Sequence, residues 1–95
     1  MVKSLPKVMT FSATDPSGGA GLQADILTTS SLGCYPVSIA TGITVQDTVG
    51  VEKLISIDSE VVDNQARVIL EDMEVSIFKL GLLGSKENIA VVAEI

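Results

Sequence analysis

Apolar residues change their spacing along this chain at points marked by glycine, proline and acidic residues. Val8-Met9-Thr10-Phe11-Ser12 is a short β-prone run. It breaks on Thr14-Asp15-Pro16-Ser17-Gly18-Gly19, which predicts a strand running into a loop. Leu22, Ile26, Thr29 and Leu32 then recur at helical intervals, and Gly33 stands where a left-handed residue would close that helix. Residues 37–45 are almost continuously apolar, as in an internal parallel strand. Asp47-Thr48-Val49-Gly50 reads as a turn, and the β-prone residues 51–57 carry Glu52 and Lys53, which suits an edge or lid strand. Val62, Ala66, Ile69 and Met73 share a helical face flanked by Val61 and Leu70. Asp58 or Ser59 can cap that helix, while Glu60 and Asp63 suit its positive end. Residues 75–80 predict a further strand closed by Gly81, and Ser85 a cap for a helix with Ile89, Val92 and Ile95 inward.

Strand, helix, strand, strand, helix, strand, helix is an α/β order. The strands near residues 8–12, 37–45 and 75–80 are expected to lie parallel in one sheet. The last helical pattern meets no closing cap, and in a doubly wound fold it would feed another parallel strand. The pattern therefore reads as a truncated portion of a larger domain.

Composition narrows the functions. A chain of 95 residues suits one domain, with a thin core. Its net charge of -6 and its six scattered Lys and Arg argue against nucleic acid or an anionic membrane as partner. With 3% aromatic residues and no Trp, it offers no platform for stacking bases. One Cys and no His exclude an internal disulfide, Cys/His zinc sites and Ser-His-Asp triads. Cys34 is expected to be a small buried hydrophobe. The start meets Asp15 too soon for a signal peptide, and no apolar run approaches a membrane span, so a cytoplasmic location is expected.

The main chemical signal is the loop Asp15-Pro16-Ser17-Gly18-Gly19-Ala20-Gly21. It joins the end of a strand to the start of a helix, where ligands bind in open α/β sheets. Its glycines allow close backbone approach and its free N–H groups suit an anion or polar ligand, although a flexible turn would look the same. It is neither GxxxxGK[ST] nor GxGxxG, so both common nucleotide fingerprints are absent. Asp25, early in the following helix, and Gln46, past the second strand, can face the same crevice. The Gln46 amide matches the mixed donor and acceptor edge of an aminopyrimidine, and the Asp25 carboxylate can accept from an amino or hydroxymethyl group. Helix-dipole stabilisation and turn satisfaction are the plainer explanations for these two residues. Lys79 ends an apolar strand, either solvated or turned into the crevice.

Thr14-Asp15-Pro16-Ser17-Gly18-Gly19-Ala20-Gly21-Leu22-Gln23-Ala24-Asp25 closely resembles the signature of the hydroxymethylpyrimidine (phosphate) kinases of thiamine biosynthesis, within the ribokinase-like superfamily. Ser31-Leu32-Gly33-Cys34-Tyr35, Ile43-Thr44-Val45-Gln46-Asp47-Thr48-Val49-Gly50-Val51 and Lys79-Leu80-Gly81-Leu82-Leu83 are similar to later segments of that family, in order. Ala13, Asp47 and Leu82 depart from the family's usual Gly, Asn and Met. The resemblance implies a ribokinase-like N-terminal portion spanning residues 1–95, and a protein that uses ATP and Mg²⁺ to phosphorylate an aminopyrimidine alcohol and then its monophosphate. It implies substrate contacts from Asp15, Gly19, Ala20, Gly21, Asp25, Gln46 and Leu82. It places no catalytic residue and no metal ligand here, because the family's anion hole, catalytic residue and most of its nucleotide site lie in the C-terminal half. Pyridoxal kinases share the fold and are a more distant alternative. The alternatives to an enzyme fragment are a non-catalytic pyrimidine-binding module and a self-associating module; a homo-oligomer is expected because part of the sheet would be left open.

Overall fold

A computed structural model describes residues 5–95. The order is β1 (Lys7–Thr14), α1 (Gly21–Ser31), β2 (Tyr35–Gln46), β3 (Val51–Ser56), α2 (Ser59–Asp72), β4 (Ile77–Leu80) and α3 (Lys86–Ala93). The four strands form one sheet in the order β3-β2-β1-β4. As expected, β1 pairs in parallel with both β2 and β4, and β3 is an antiparallel edge strand on β2.

Alternation along β1 and β2 divides the sheet's two faces. Met9, Phe11, Val37 and Ile39 pack with Val62 and Ala66 of α2 and Val92 of α3 to form the core. Thr10 points the other way and meets Asp25 on α1. β1 lies between two strands and under helices on both sides, so its residues 9–13 are all buried. The β1–β2 register slips after Ser12, where Ala13 pairs with Gly42 and Thr41 becomes the extra residue of a bulge. The Thr41 hydroxyl donates to the Leu82 carbonyl at 2.7 Å, tying the bulge to the loop after β4.

Helix ends follow their local chemistry. Asp58 caps α2 by accepting from the Glu60 N–H, and Ser85 caps α3 by accepting from the Asn88 N–H. At the end of α1, Gly33 has φ +79, its N–H meets the Ser30 carbonyl, and the Cys34 N–H meets that of Thr29. That paired closure is the Schellman arrangement, which needs a residue tolerant of positive φ.

Four local expectations change. Leu32, placed on the inner face of α1, is 75% exposed, because it is the helix's C-cap and the chain turns away there. Cys34 is half-buried rather than buried. The inner face of α3 is Asn88 and Val92, whereas Ile89 is exposed. Asn88 is drawn in because its Nδ2 donates to the carbonyls of Thr41, Ile57 and Leu83. β4 begins at Ile77 and stands at the sheet's edge, with Ile77, Phe78 and Leu80 each about half exposed.

Candidate functional site

The C-terminal ends of β1, β2 and β4 open on the same side as the N-terminus of α1, as parallel pairing requires. A cavity of about 390 Å³ lies there, lined by Asp15, Ala20, Gly21, Gln46, Lys79 and Leu82 among others.

The loop between β1 and α1 is held by Asp15. Its Oδ1 accepts from the Ser17 N–H and hydroxyl at 2.9 and 2.7 Å, and its Oδ2 from the Ala20 N–H at 2.9 Å. The Ser17 hydroxyl, with the backbone donors behind it, holds the Asp15 carboxyl below the usual carboxylate range despite burial. The Asp15 N–H donates to Gln23 Oε1 at 2.8 Å, so the loop is also clipped to α1. The Asp15 carboxylate thus organises backbone, and its bonded oxygens are committed to the loop.

Gly21 opens α1 at φ +66, and a Cβ built there would overlap the Ala13 carbonyl. Only glycine combines that backbone conformation with that approach. Ala13 is no obstacle despite replacing the usual glycine, since no described non-glycine residue has a positive φ.

Gln46 closes β2. Its Nε2 donates to the Thr44 hydroxyl at 2.6 Å, which itself donates to the Thr14 carbonyl at 2.7 Å. This chain fixes the amide's orientation and leaves one N–H and the Oε1 for a ligand. Asp47 accepts from the N–H groups of Val49 and Gly50, and these two donors lower its carboxyl pKa. The turn needs only an acceptor oxygen, so Asp replaces the usual Asn without loss there.

Asp25 does not line the cavity. Its Oδ2 accepts from the Thr10 hydroxyl at 2.7 Å, and Lys79 Nζ bridges Oδ1 and Oδ2 at 2.9 and 3.0 Å. Gly19 also lies outside the lining and its φ is ordinary, while the positive φ in that turn belongs to Gly18. Five of the seven expected contact residues therefore come together: Asp15, Ala20, Gly21, Gln46 and Leu82.

The cavity also takes in Ser12, Thr44, Val51, Lys79 and Gly81. Thr44 was legible, since it lies two residues from Gln46 on one strand face. Ser12 and Gly81 were not, because their juxtaposition comes from β1–β4 pairing. A Cβ on Gly81 would stand 2.9 Å from Ser12 Cβ and 3.3 Å from Lys79 Nζ.

The phosphomethylpyrimidine kinase family model matches residues 15–95. This chain belongs to the phosphomethylpyrimidine kinase family. It is 38% identical over 86 residues to the hydroxymethylpyrimidine/phosphomethylpyrimidine kinase of Escherichia coli K12, covering 90% of this chain and 32% of that protein. The Rhizobium meliloti counterpart is 37% identical with the same coverage. The chain thus spans about a third of the length of these relatives. Among solved structures, phosphomethylpyrimidine kinase from Clostridium difficile 630 superposes with a TM-score of 0.89 at 35% identity, over 94% of this chain and 38% of that one. A Staphylococcus aureus pyridoxal kinase, solved with AMP-PCP and pyridoxal, gives 0.85 at 30% identity, over 97% and 34%. The ribokinase-like α/β architecture read from the sequence agrees with these likenesses. The likeness to the pyridoxal kinase agrees with the shared fold expected from the sequence.

Proposed function

We propose that this chain is the substrate-side portion of a phosphomethylpyrimidine kinase, which holds an aminopyrimidine alcohol or its monophosphate and does not transfer phosphoryl groups by itself. The observation that carries this reading is the Gln46 amide, set at the cavity by Thr44 and Thr14 with its donor and acceptor free. An aminopyrimidine edge offers the complementary pair. The partial ribokinase-like domain over residues 1–95 supplies the floor and loop of such a site, and its ligand contacts are Asp15, Ala20, Gly21, Gln46 and Leu82 through the lining, with Gly19 and Asp25 acting from behind it. A cytoplasmic setting belongs to the same reading; no described helix is long and apolar enough to cross a membrane.

Family membership implies ATP and Mg²⁺ for a whole enzyme. The described residues do not fit them: no group of three or more acidic, Cys or His side chains converges to hold a metal. The cavity's lysine is already neutralised by Asp25. Phosphoryl transfer depends on positioning and charge neutralisation around the phosphates, and these side chains supply neither. Incubation with ATP, Mg²⁺ and 4-amino-5-hydroxymethyl-2-methylpyrimidine is expected to give no steady-state product. A turnover abolished by Asp25→Ala would overturn that expectation.

Titration calorimetry tests the binding itself. Weak heats are expected with the aminopyrimidine alcohol, falling about tenfold or more in affinity in Gln46→Ala, as for loss of a paired polar contact. Pyridoxal serves as the comparison ligand. Tighter binding of pyridoxal, or Gln46→Ala binding like the wild type, would defeat the pyrimidine reading. The same reading includes self-association through the open sheet edge at β4.

A further inference from the structure

Lys79 is the cavity residue whose role the proposed function leaves open. It projects from the penultimate residue of β4, where its ammonium reaches 54 residues back in sequence to Asp25 on α1. Both carboxylate oxygens of Asp25 are engaged, Oδ1 by Lys79 and Oδ2 by Lys79 and Thr10. The Asp25 side chain is 16% exposed and that of Lys79 is 49% exposed. Asp25 is absent from the cavity lining, and Lys79 is present in it.

An ammonium has three N–H donors and no acceptor. Two are taken by the two Asp25 oxygens, which leaves one for the cavity. Gly81 makes this arrangement available, because a side chain there would crowd the ammonium at 3.3 Å. Asp25 and Thr10, from α1 and β1, thus fix a charged donor that β4 delivers.

We propose that Lys79, and not Asp25, is the side chain that touches the ligand at this end of the cavity. It donates a hydrogen bond to the oxygen of the hydroxymethyl arm, while Asp25 and Thr10 are positioning residues that act through it. The proposal rests on the aminopyrimidine reading given above. It divides recognition in two: Gln46 reads the ring's amino edge and Lys79 reads the oxygen of the arm. The charge balance suits an uncharged acceptor, since the Lys79 ammonium is already paired with the Asp25 carboxylate and the Asp15 carboxylate lines the same cavity.

Calorimetry on the intact chain with two ligands decides it. One is 4-amino-5-hydroxymethyl-2-methylpyrimidine; the other is 4-amino-2,5-dimethylpyrimidine, which lacks the arm's oxygen. Wild type is expected to bind the alcohol about tenfold or more tightly than the dimethyl compound, as for a hydrogen bond to a charged group. Lys79→Met is expected to remove that difference by weakening the alcohol alone, and Lys79→Arg to restore part of it. Asp25→Ala added to Lys79→Met is expected to cause no further loss for the alcohol relative to the dimethyl compound. A Lys79→Met protein that weakens both ligands equally has lost general structure, and the proposal falls. Equal binding of both ligands by wild type overturns it without any variant, while leaving the aminopyrimidine reading intact. If wild type binds neither, that reading fails and takes this one with it.

Discussion

Gly21→Ala is expected to lower the melting temperature by roughly 10–20 °C, while Gly50→Ala changes it by no more than about 3 °C. Two costs combine at Gly21. An L-residue held at φ +66 is strained by roughly 1–2 kcal/mol. The added Cβ also overlaps the Ala13 carbonyl and stands 3.3 Å from both the backbone N and the Cβ of Asp15. Backbone must therefore move, not the end of a flexible side chain. Ala13 belongs to the central strand and Asp15 holds the loop, so neither has room to yield cheaply. The sum is on the order of 2–4 kcal/mol, a large share of what a thin single domain has. Gly50 is the matched control: its φ is ordinary and an added Cβ has nothing within 4 Å. Thermal melts by circular dichroism read both variants. A Gly21→Ala melt within a few degrees of wild type would mean that the loop relaxes, and that the tight turn into α1 is not what shapes the cavity.

Wild type is expected to sediment as a dimer at micromolar concentration, and Phe78→Lys as a monomer. β4 pairs with β1 on one side only, and its outer N–H and C=O groups have no strand partner among the described residues. Apart from Lys79 its side chains are apolar, with Ile77 52%, Phe78 48% and Leu80 56% exposed. A parallel strand of that composition belongs in a sheet's interior. Edge strands are often protected by an outward lysine, but Lys79 is drawn back onto Asp25 and leaves the edge open. Two-fold pairing of β4 with β4 of a second copy satisfies the edge groups and buries apolar surface worth about 25 cal/mol per Å². The net charge of -6 opposes contact, yet at physiological salt repulsion is screened beyond about 8 Å. Phe78→Lys places a charge in the pair's centre without touching the core, so its own melt should remain cooperative. Sedimentation equilibrium of both proteins is the measurement. A wild-type monomer with a cooperative melt would show that the edge protects itself.

Spacing in the sequence was enough for element type and order, because periodicity and capping act over a few residues. Apolar runs marked β1, β2 and β4, the charges at Glu52 and Lys53 marked β3 as an edge, and Asp58, Ser85 and Gly33 marked helix ends. The loop from Asp15 to Gly21 was legible for the same reason, since its turn chemistry is contiguous. Tertiary structure decided which side chains meet. Asp25 could be placed near the crevice from its position on α1, but not its engagement by Thr10 and Lys79, which lie 15 and 54 residues away. The packing of α1 on β1 closes the first distance and the parallel pairing of β4 with β1 the second, and no local pattern carries either register. Asn88 shows the same limit inside the core. Ile89 had the better helical spacing, yet three carbonyls from β2, the β3–α2 junction and the β4–α3 loop converge where Asn88 can donate to them. A hydrophobic count ranks residues by their own transfer energy, whereas the fold ranks them also by the buried polar groups that need a partner.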